Sequence, residues 1–238
     1  MNWSAGKIGT INQRSAHANG LSTPPIGCVL YLPGLPGGGT KIYDRSPYGN
    51  IGTITGAVWK RLPSGLWCLD FDGTDDYVNC GHNASLNITE EATIEMWIYP
   101  TAATAGTTRR MLSKAKFELN LIGEVTGANF TFLVKVGTVS KVASAPTDSA
   151  TFNTWHHVVG VYNQTNVLIY QNTTLTTGDA STGSIDDNAA DDLFIASRAA
   201  LDRELTGSIG LVRIYNRALS ALEIQNHFNR ERHLFGVW

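Results

Sequence analysis

Four aromatic side chains lie in strand-like segments that also carry amides and a guanidinium, a combination suited to sugar binding. An aromatic ring can stack on the apolar face of a sugar, while amide, hydroxyl and guanidinium groups hydrogen-bond to its hydroxyls. An alternative interpretation places each ring in the hydrophobic core, where aromatic residues bury much of their area. The sequence predicts these ligand-binding positions: Trp97, Tyr99, Tyr162, Asn163, Tyr170, Asn172 and Arg198.

Acidic residues are not spaced as a glycosidase active site requires. Hydrolysis of a glycosidic bond needs two carboxyl groups facing one cleft, which on a strand means alternate positions. Glu118 and Glu124 flank an apolar stretch instead. The other acidic pairs are adjacent and would point to opposite faces of a strand: Asp75 and Asp76, Asp186 and Asp187, and Asp191 and Asp192. We therefore predict no catalytic residue and a protein that is not an enzyme.

Short strand-like segments, many of them separated by Gly, Asn, Asp or Ser, recur along most of the chain. Alternation is clearest between residues 93 and 99, where Ile94, Met96 and Ile98 form an apolar face. This pattern is typical of an antiparallel sandwich or barrel. Strands are predicted at residues 67–71, 77–80, 93–99, 110–114, 117–122, 129–136, 156–162, 167–171, 193–196 and 208–215.

One helix is predicted near the C-terminal end of the sequence. Ser220 and Glu223 have the spacing of a capping box, in which each side chain accepts a hydrogen bond from the other residue's backbone N–H. Ile224 and Phe228 then lie four residues apart on one face of the helix. We expect the helix to end near His233.

Two segments, 69–78 and 155–170, each read as a pair of short strands around a polar turn. Cys68 and Cys80 are placed symmetrically about the first turn and would face each other in a hairpin of simple register. The alternative is that Cys28, Cys68 and Cys80 are buried free thiols. The three form no Cys-x-x-Cys motif, so a structural zinc site is not expected.

The composition of the 238-residue chain argues against two classes of partner. A net charge of −2 leaves no basic footprint for nucleic acid, and no run of about 18 apolar residues would span a membrane. Residues 1–27 are mostly polar, without the apolar stretch of a secretory signal. The chain is expected to function without that export route or to have lost a leader. We predict an N-terminal arm at 1–27, able to tether a protein partner, followed by one domain.

Five blocks of sequence resemble, in order, the laminin-G-like jelly-roll domains of the concanavalin A-like lectin/glucanase superfamily. They are LYL with YDRS at residues 30–46, LDFDGTDDYV at 69–78, LNIT through TIEMWI at 86–98, TWHHVVGVY at 154–162 and GSIGLVRIYNRALS at 207–220. The resemblance covers about residues 28–230. It implies that residues 28–238 form an all-β fold, an antiparallel β-sandwich (concanavalin A-like jelly roll) with one short C-terminal helix.

The resemblance also implies a structural Ca²⁺ near the Phe-Asp-Gly turn. Calcium prefers carboxylate and carbonyl oxygens, and the turn supplies such groups at Asp72, Gly73, Asp75 and Asp76. The alternative is that these aspartates only close the turn through hydrogen bonds to the backbone. The chain departs from the family at Gly210, where an acidic residue is common.

By resemblance, we expect a non-catalytic, lectin-like module that recognises a carbohydrate, or a protein surface, through its loops and concave sheet. Two alternatives remain open: a structural or adhesion subunit of a virion or cell surface, and a polysaccharide-degrading enzyme. Residues 160–164 match part of an alginate-lyase strand, but the companion arginine-rich strand is absent from the sequence. The resemblance suggests an extracellular or virion-surface location with a glycan as partner.

Overall fold

The computed structural model describes residues 23–34, 39–124 and 127–238, and these form a sandwich of two antiparallel sheets. The strands, numbered along the chain, are β1 (Cys28–Leu32), β2 (Lys41–Ile42), β3 (Gly52–Thr55), β4 (Val58–Arg61), β5 (Trp67–Asp72), β6 (Tyr77–Asn79), β7 (Ala92–Ala102), β8 (Thr108–Lys114), β9 (Phe117–Gly123), β10 (Ala128–Val136), β11 (Val139–Ser144), β12 (His156–Tyr162), β13 (Asn166–Gln171), β14 (Thr174–Ala180), β15 (Phe194–Ile195) and β16 (Thr206–Tyr215).

Each of the two sheets contains eight strands. Sheet A has the order β14-β13-β12-β7-β16-β5-β4, and β1 also pairs with β16; sheet B has the order β11-β10-β9-β8-β15-β6-β3-β2. A single α-helix, α1 (Ala221–Glu231), is found among the described residues, and a 3₁₀ turn (Arg232–Phe235) follows it. The predicted fold class, an antiparallel jelly-roll sandwich with one short C-terminal helix, is confirmed.

The main hydrophobic core lies between the two sheets. Ile94, Met96 and Ile98 of β7 all belong to it and are fully buried, as the alternation predicts. Full burial of a side chain of this size contributes about 1.5–3 kcal/mol. The inward face of each strand is thereby fixed, and so is the set of side chains that points outward.

A second apolar cluster covers the outer face of sheet A. Trp97 and Tyr215 project from that face into the same buried cluster as Ile224 of α1 and Phe235 of the 3₁₀ turn. The helix begins with the predicted capping box, which ties the Ser220 side chain to the backbone three residues on. Helix α1 therefore occupies the outer face of sheet A, and no helix of the described ranges lies over sheet B.

The strands β5 and β6 do not form the hairpin that segment 69–78 suggested. Strand β5 pairs with β4 and β16 in sheet A, whereas β6 pairs with β3 and β15 in sheet B. The polar turn is a crossover between the sheets, because Phe71 and Val78 both point into the core from opposite sides. Cys68 and Cys80 therefore lie in different layers and, like Cys28, are buried free thiols.

Segment 155–170 is a hairpin, as expected, in which β12 pairs with β13. The strands predicted between residues 67 and 215 all occur with bounds shifted by a few residues, but β11 and β14 of that range were not predicted. Strand β11 is an edge strand of sheet B, and β14, which contacts it, is an edge strand of sheet A. Their side chains are mostly polar and exposed, so neither strand shows apolar alternation in the sequence. Contacts with tertiary neighbours, rather than local pattern, define such strands.

The predicted N-terminal arm lies mostly outside the described residues, which begin at 23. Its last residues contact the end of β16, where the Ile26 carbonyl accepts a hydrogen bond of 2.9 Å from Nε of Arg217. Among the described residues, no helix has both the length and the apolar character needed to cross a bilayer.

Candidate functional site

An open groove of about 540 Å³ runs over the outer face of sheet B at strands β3 and β6. We call it the β3–β6 groove. Its polar and aromatic lining comes from two strands, the segment after β6, and the loop before β15. The lining includes Thr53, Thr55, Tyr77, Asn79, His82 and Asp192.

Strand alternation aims four of these side chains into the groove. Ile54 and Val78 are buried in the core, so their sequence neighbours on β3 and β6 must point outward. Thr53 lies opposite Asn79 and Thr55 lies opposite Tyr77 in the antiparallel register. The groove floor therefore presents two hydroxyls, an amide and an aromatic ring on one sheet face.

The Tyr77 ring is half-buried and is held from one side by Phe194 of β15. The two ring centroids are 5.9 Å apart with an edge-to-face angle of 60°. Phe194 itself is 7% exposed, so it supports the tyrosine without offering much surface of its own. Phe194 thus positions the Tyr77 ring at the groove, where the ring stays partly exposed.

Asp192 brings a carboxylate to the same face of sheet B. Its Oδ1 lies 2.6 Å from Nδ1 of His82, and its Oδ2 accepts a hydrogen bond of 2.9 Å from Nδ2 of Asn79. These hydrogen bonds, led by that from His82, hold the pKa of the Asp192 carboxyl below its usual value. The carboxylate is therefore ionised and fixed in direction, with 33% of its side chain exposed.

The loop that carries Asp192 is anchored from inside by a buried lysine. Nζ of Lys114 donates to the carbonyl oxygens of Asn188, at 2.8 Å, and Asp191. Burial lowers the pKa of this ammonium group, and neighbouring aspartates oppose that effect. The Leu193 N–H donates to the Gly81 carbonyl and the Leu193 carbonyl accepts from the Cys80 N–H, which joins the loop to the end of β6. The position of Asp192 is consequently set by the fold.

Three of the predicted ligand-binding rings are buried. Trp97 has no exposed surface, stacks on Phe235 at 4.4 Å, and donates from Nε1 to Glu231 at 2.9 Å. Tyr162 is equally buried and donates from its hydroxyl to the Gly183 carbonyl at 2.6 Å. Tyr170 is 6% exposed. The alternative interpretation of these rings, as core residues, fits their burial, and they offer no platform for a sugar.

The other predicted ligand-binding residues lie apart from one another. Tyr99 packs on Trp155 at 5.5 Å, and Trp155 packs in turn on Phe235 of the 3₁₀ turn. Asn163 closes the β12–β13 turn by accepting from the Thr165 and Asn166 backbones, and Asn172 accepts from the His157 backbone at 2.8 Å. Arg198 forms an ion pair with Asp202. None of these side chains lines the β3–β6 groove, so the predicted set is not assembled into one site.

The predicted calcium ligands do lie together at the turn after β5. Asp72, Asp75 and Asp76 each offer one oxygen, and these oxygens lie within 4.8 Å of one another. The turn-closing alternative is also realised, since Asp72 accepts from the Thr74 backbone and Asp76 from the Asp72 backbone, both at 2.8 Å. Burial, and then the nearby carboxylates, raise the pKa of Asp76. The donor set fits a hard cation.

A buried ionic network joins β7 to helix α1. The Glu95 carboxylate accepts from Nε2 of His157 at 2.9 Å and from the Tyr215 hydroxyl at 2.9 Å. His227 of α1 lies 3.0 Å from the same carboxylate, and Arg213 lies 3.2 Å from it. Burial opposes ionisation here, but Arg213 and the two histidines outweigh it and hold the pKa of Glu95 well below its usual value.

A metal at this network would compete with a cation already present. Glu95, His157 and Glu231 could together hold an ion by distance alone. The Arg213 guanidinium, however, bridges the two carboxylates and occupies the space between them. The network is therefore a structural clamp that holds α1 on the sheet. Because α1 covers it, Glu95 is only 1% exposed although it points away from the main core.

Sequence reasoning did not single out the residues of the β3–β6 groove. Tyr77 and Asn79 carry a usable signal, because they flank buried Val78 and must share the opposite face of β6. The local sequence gives no such signal for Asp192 and His82, because they are 110 positions apart and only the folding of the loop brings them together.

Comparisons with known proteins agree with this architecture. Residues 72–225, more than half of the chain, match the family described as the concanavalin A-like lectin/glucanases superfamily. No curated protein sequence is significantly similar to the chain. Several solved structures, in contrast, share its fold at low sequence identity.

The structural neighbours include two toxin binding domains and one domain of a glycosidase. The binding domain of Paraclostridial Mosquitocidal Protein 1 matches with a TM-score of 0.69 at 16% identity, over 89% of this chain and 55% of that one. The botulinum neurotoxin serotype G binding domain matches with 0.63 at 14%, over 84% and 50%. The chain thus spans about half the length of these two domains.

Domain 4 of AbnA, a GH43 extracellular arabinanase from Geobacillus stearothermophilus, has a similar extent to this chain. It was solved in complex with arabinotriose, and it matches with a TM-score of 0.64 at 15% identity, over 84% of this chain and 97% of that one. At such low identity the likeness concerns the fold alone.

Proposed function

Because the chain belongs to the concanavalin A-like lectin/glucanase superfamily as a laminin-G-like jelly-roll domain, we propose that it is a glycan-binding module and that the β3–β6 groove is its site. One observation carries the proposal: the half-buried Tyr77 ring shares a sheet face with hydroxyl, amide and carboxylate groups. The groove lies on the outer face of sheet B, the sheet that bears no helix in the described ranges.

Tyr77 supplies the apolar surface that a sugar ring needs. Because Phe194 packs on the tyrosine ring in an edge-to-face contact, the ring is already restricted before a ligand arrives. A side chain that is ordered in advance loses little entropy on binding, so more of the contact energy appears as affinity. The proposed stacking therefore uses a preorganised platform.

The polar groups around Tyr77 supply partners for sugar hydroxyls. Thr53 and Thr55 can donate and accept, whereas the Asp192 carboxylate accepts only. The Asn79 amide connects these two sides, since it lies opposite Thr53 in register and donates to Asp192. A few fixed polar groups beside an apolar surface are the usual composition of a small-ligand site.

The structural neighbours support a binding role for this fold. Three are described as binding domains, those of the mosquitocidal protein and of botulinum neurotoxin serotypes G and D, and the arabinanase domain was solved with arabinotriose. Their identity of 14–16% to this chain leaves the choice of ligand to the residues of the groove.

A role without glycoside hydrolysis fits the acidic groups of the groove. Among the described residues that line it, Asp192 is the one carboxylate, and it is engaged by Asn79 and His82. Glycoside hydrolysis requires a second carboxyl group at about 5–10 Å. We therefore propose recognition rather than turnover.

The test is glycan binding by the intact chain and by a Tyr77→Ala variant. A glycan array would identify a ligand, and calorimetry would then measure the dissociation constant of both proteins. Loss of one aromatic–sugar stacking contact of about 1–1.5 kcal/mol should weaken binding by about tenfold. Tyr48→Ala serves as the matched control, because Tyr48 is 53% exposed and lies outside the groove lining.

Two outcomes would contradict the proposed function. The first is a folded wild-type chain that binds no glycan on the array. The second is a ligand whose affinity is unchanged by Tyr77→Ala but reduced by the control substitution, which would move the site elsewhere.

A further inference from the structure

We propose that Asp192 makes the β3–β6 groove selective for uncharged sugars with two adjacent hydroxyls, and that the groove disfavours sugars bearing a carboxylate or sulfate. This inference rests on the proposed function and names the ligand class for the same site. It follows from the hydrogen bonds, the charge and the anchoring of one side chain.

The Asp192 carboxylate has unused acceptor capacity on both oxygens. An ionised carboxylate offers about four lone-pair sites. His82 uses one on Oδ1 and Asn79 uses one on Oδ2, which leaves about one on each oxygen. Two neighbouring acceptors on one rigid group match two neighbouring hydroxyl donors, so the expected partner is a vicinal diol.

The negative charge of Asp192 is maintained by its surroundings. The hydrogen bonds from His82 and Asn79 keep the carboxyl ionised. The residue before it in the loop, Asp191, is also acidic. An anionic sugar would approach this wall against like charge, which disfavours binding.

Lys114, the cation that anchors the loop, does not reach the groove and so does not offset the Asp192 charge there. The Lys114 side chain is fully buried, and its ammonium group is directed at the backbone carbonyls of Asn188 and Asp191. It acts from beneath the loop as an anchor. A ligand above the loop therefore meets the Asp192 carboxylate and not the lysine.

Lys41 is the positive group on the opposite side of the groove. Its Nζ donates to the Thr53 hydroxyl at 2.6 Å, and Thr53 lies opposite Asn79 in the next strand pair. The Lys41 ammonium group therefore lies about one strand spacing, roughly 5 Å, from the Asn79 position, on the side of β6 away from Asp192. Lys41 offsets the Asp192 charge in part, and a substitution at Lys41 measures how much.

The test uses pairs of polysaccharides that differ only in the carboxylate. Galacturonan and its carboxyl-reduced form, and glucuronan with its reduced form, provide the probes, together with the neutral ligand that the array identifies. Retardation or calorimetry at about 0.15 M salt gives the affinity ratio. Wild-type protein should prefer the uncharged member of each bound pair by about tenfold, the factor that corresponds to 1.4 kcal/mol.

Two variants separate the roles of the two charged residues. Asp192→Asn removes the charge and should lower affinity for the neutral ligand about tenfold, while the preference against the uronate disappears. Lys41→Gln should leave that preference in place. His82→Gln provides a second variant that keeps Asp192 itself, and it should weaken neutral-sugar binding less than Asp192→Asn.

The outcomes distinguish this inference from the proposed function. If the wild type binds uronates more tightly than their reduced forms, or if Asp192→Asn leaves the preference unchanged, the inference is wrong while glycan binding stands. If the wild type binds no glycan at all, the proposed function itself fails. Thermal unfolding and circular dichroism confirm that each variant is folded.

Discussion

Asn79 and Asp192 are 113 residues apart in the sequence, yet the Asn79 amide donates a hydrogen bond of 2.9 Å to the Asp192 carboxylate. Strand β15 makes this contact possible, because it pairs with β6 immediately after the loop that carries Asp192. One amide therefore links the strand face that bears Tyr77 to the acidic loop. The two walls of the proposed site are joined through this bond.

Replacing Asn79 with alanine should weaken glycan binding without unfolding the protein. The change removes an amide from the groove lining and releases one side of the Asp192 carboxylate, which is then no longer held in place before a ligand binds. Calorimetric titration with the array ligand should show an affinity at least about tenfold lower. Asn226→Ala removes an exposed amide from helix α1 and is the matched control. Equal affinities for the two variants would disprove the role given to Asn79.

Replacing Glu95 with glutamine should destabilise the protein strongly. Glu95 accepts hydrogen bonds from His157 and Tyr215 and forms an ion pair with Arg213, and all of these groups are buried. Breaking a buried ion pair by removing one charge costs about 3–5 kcal/mol. Urea unfolding at pH 7 measures the difference, and Glu90→Gln at an exposed site should have a far smaller effect. A loss below about 1 kcal/mol, the scale of an exposed pair, would contradict the clamp.

The same carboxylate should make stability dependent on pH in the acid range. The pKa of Glu95 is held well below its usual value by Arg213 and the histidines, against the effect of burial. A lowered pKa in the folded state means that the stabilisation is complete above about pH 5 and is lost as the pH falls below the unfolded-state value near about 4.3. The free energy of unfolding of the wild type should therefore fall more steeply below pH 5 than that of Glu95→Gln. Parallel acid profiles would argue against this assignment.

Calcium should raise the melting temperature if the turn after β5 holds a cation. Three carboxylates lie within reach of one ion, and a divalent cation would relieve their mutual repulsion. Binding at 100 times the dissociation constant would stabilise the folded state by about 2.7 kcal/mol. Asp75→Asn should reduce the shift because it removes one carboxylate ligand, while the hydrogen bonds by which Asp72 and Asp76 close the turn stay in place.

The calcium experiment needs two controls. Magnesium at the same concentration should have a smaller effect, since Mg²⁺ dehydrates reluctantly and demands octahedral geometry. Asp187→Asn, an exposed aspartate outside the turn, should keep the full calcium response. An unchanged melting temperature of the wild type in millimolar calcium would leave the aspartates with the turn-closing role alone.

Local pattern predicted the elements of this fold well, but it could not predict what covers each sheet face. Alternation in β7 correctly placed Trp97 on the face opposite Ile94 and Met96. The local pattern does not show whether that face is exposed to solvent. Helix α1, which lies more than a hundred residues later in the sequence, packs on the face and buries it. The Trp97 ring thus became part of a core, although its spacing was compatible with a binding surface.

The residues of the β3–β6 groove were also only partly predictable from local pattern. The outward direction of Tyr77 follows from the burial of Val78, which the sequence indicates. The partnership of His82 with Asp192 depends on the loop that Lys114 anchors, and this loop has no periodic signal, although the strand after it was predicted. Short strands and loops are defined by tertiary contacts, so functional residues on them escape pattern reasoning.

The stacking of Phe235 on Trp97 has a practical consequence for how the molecule is displayed. It holds the 3₁₀ turn against the back of the sandwich, so residues 236–238 depart from the side opposite Tyr77 and Asp192. A bead, sensor chip or fused protein coupled at that end would sit behind the domain and leave the front accessible to long polysaccharides.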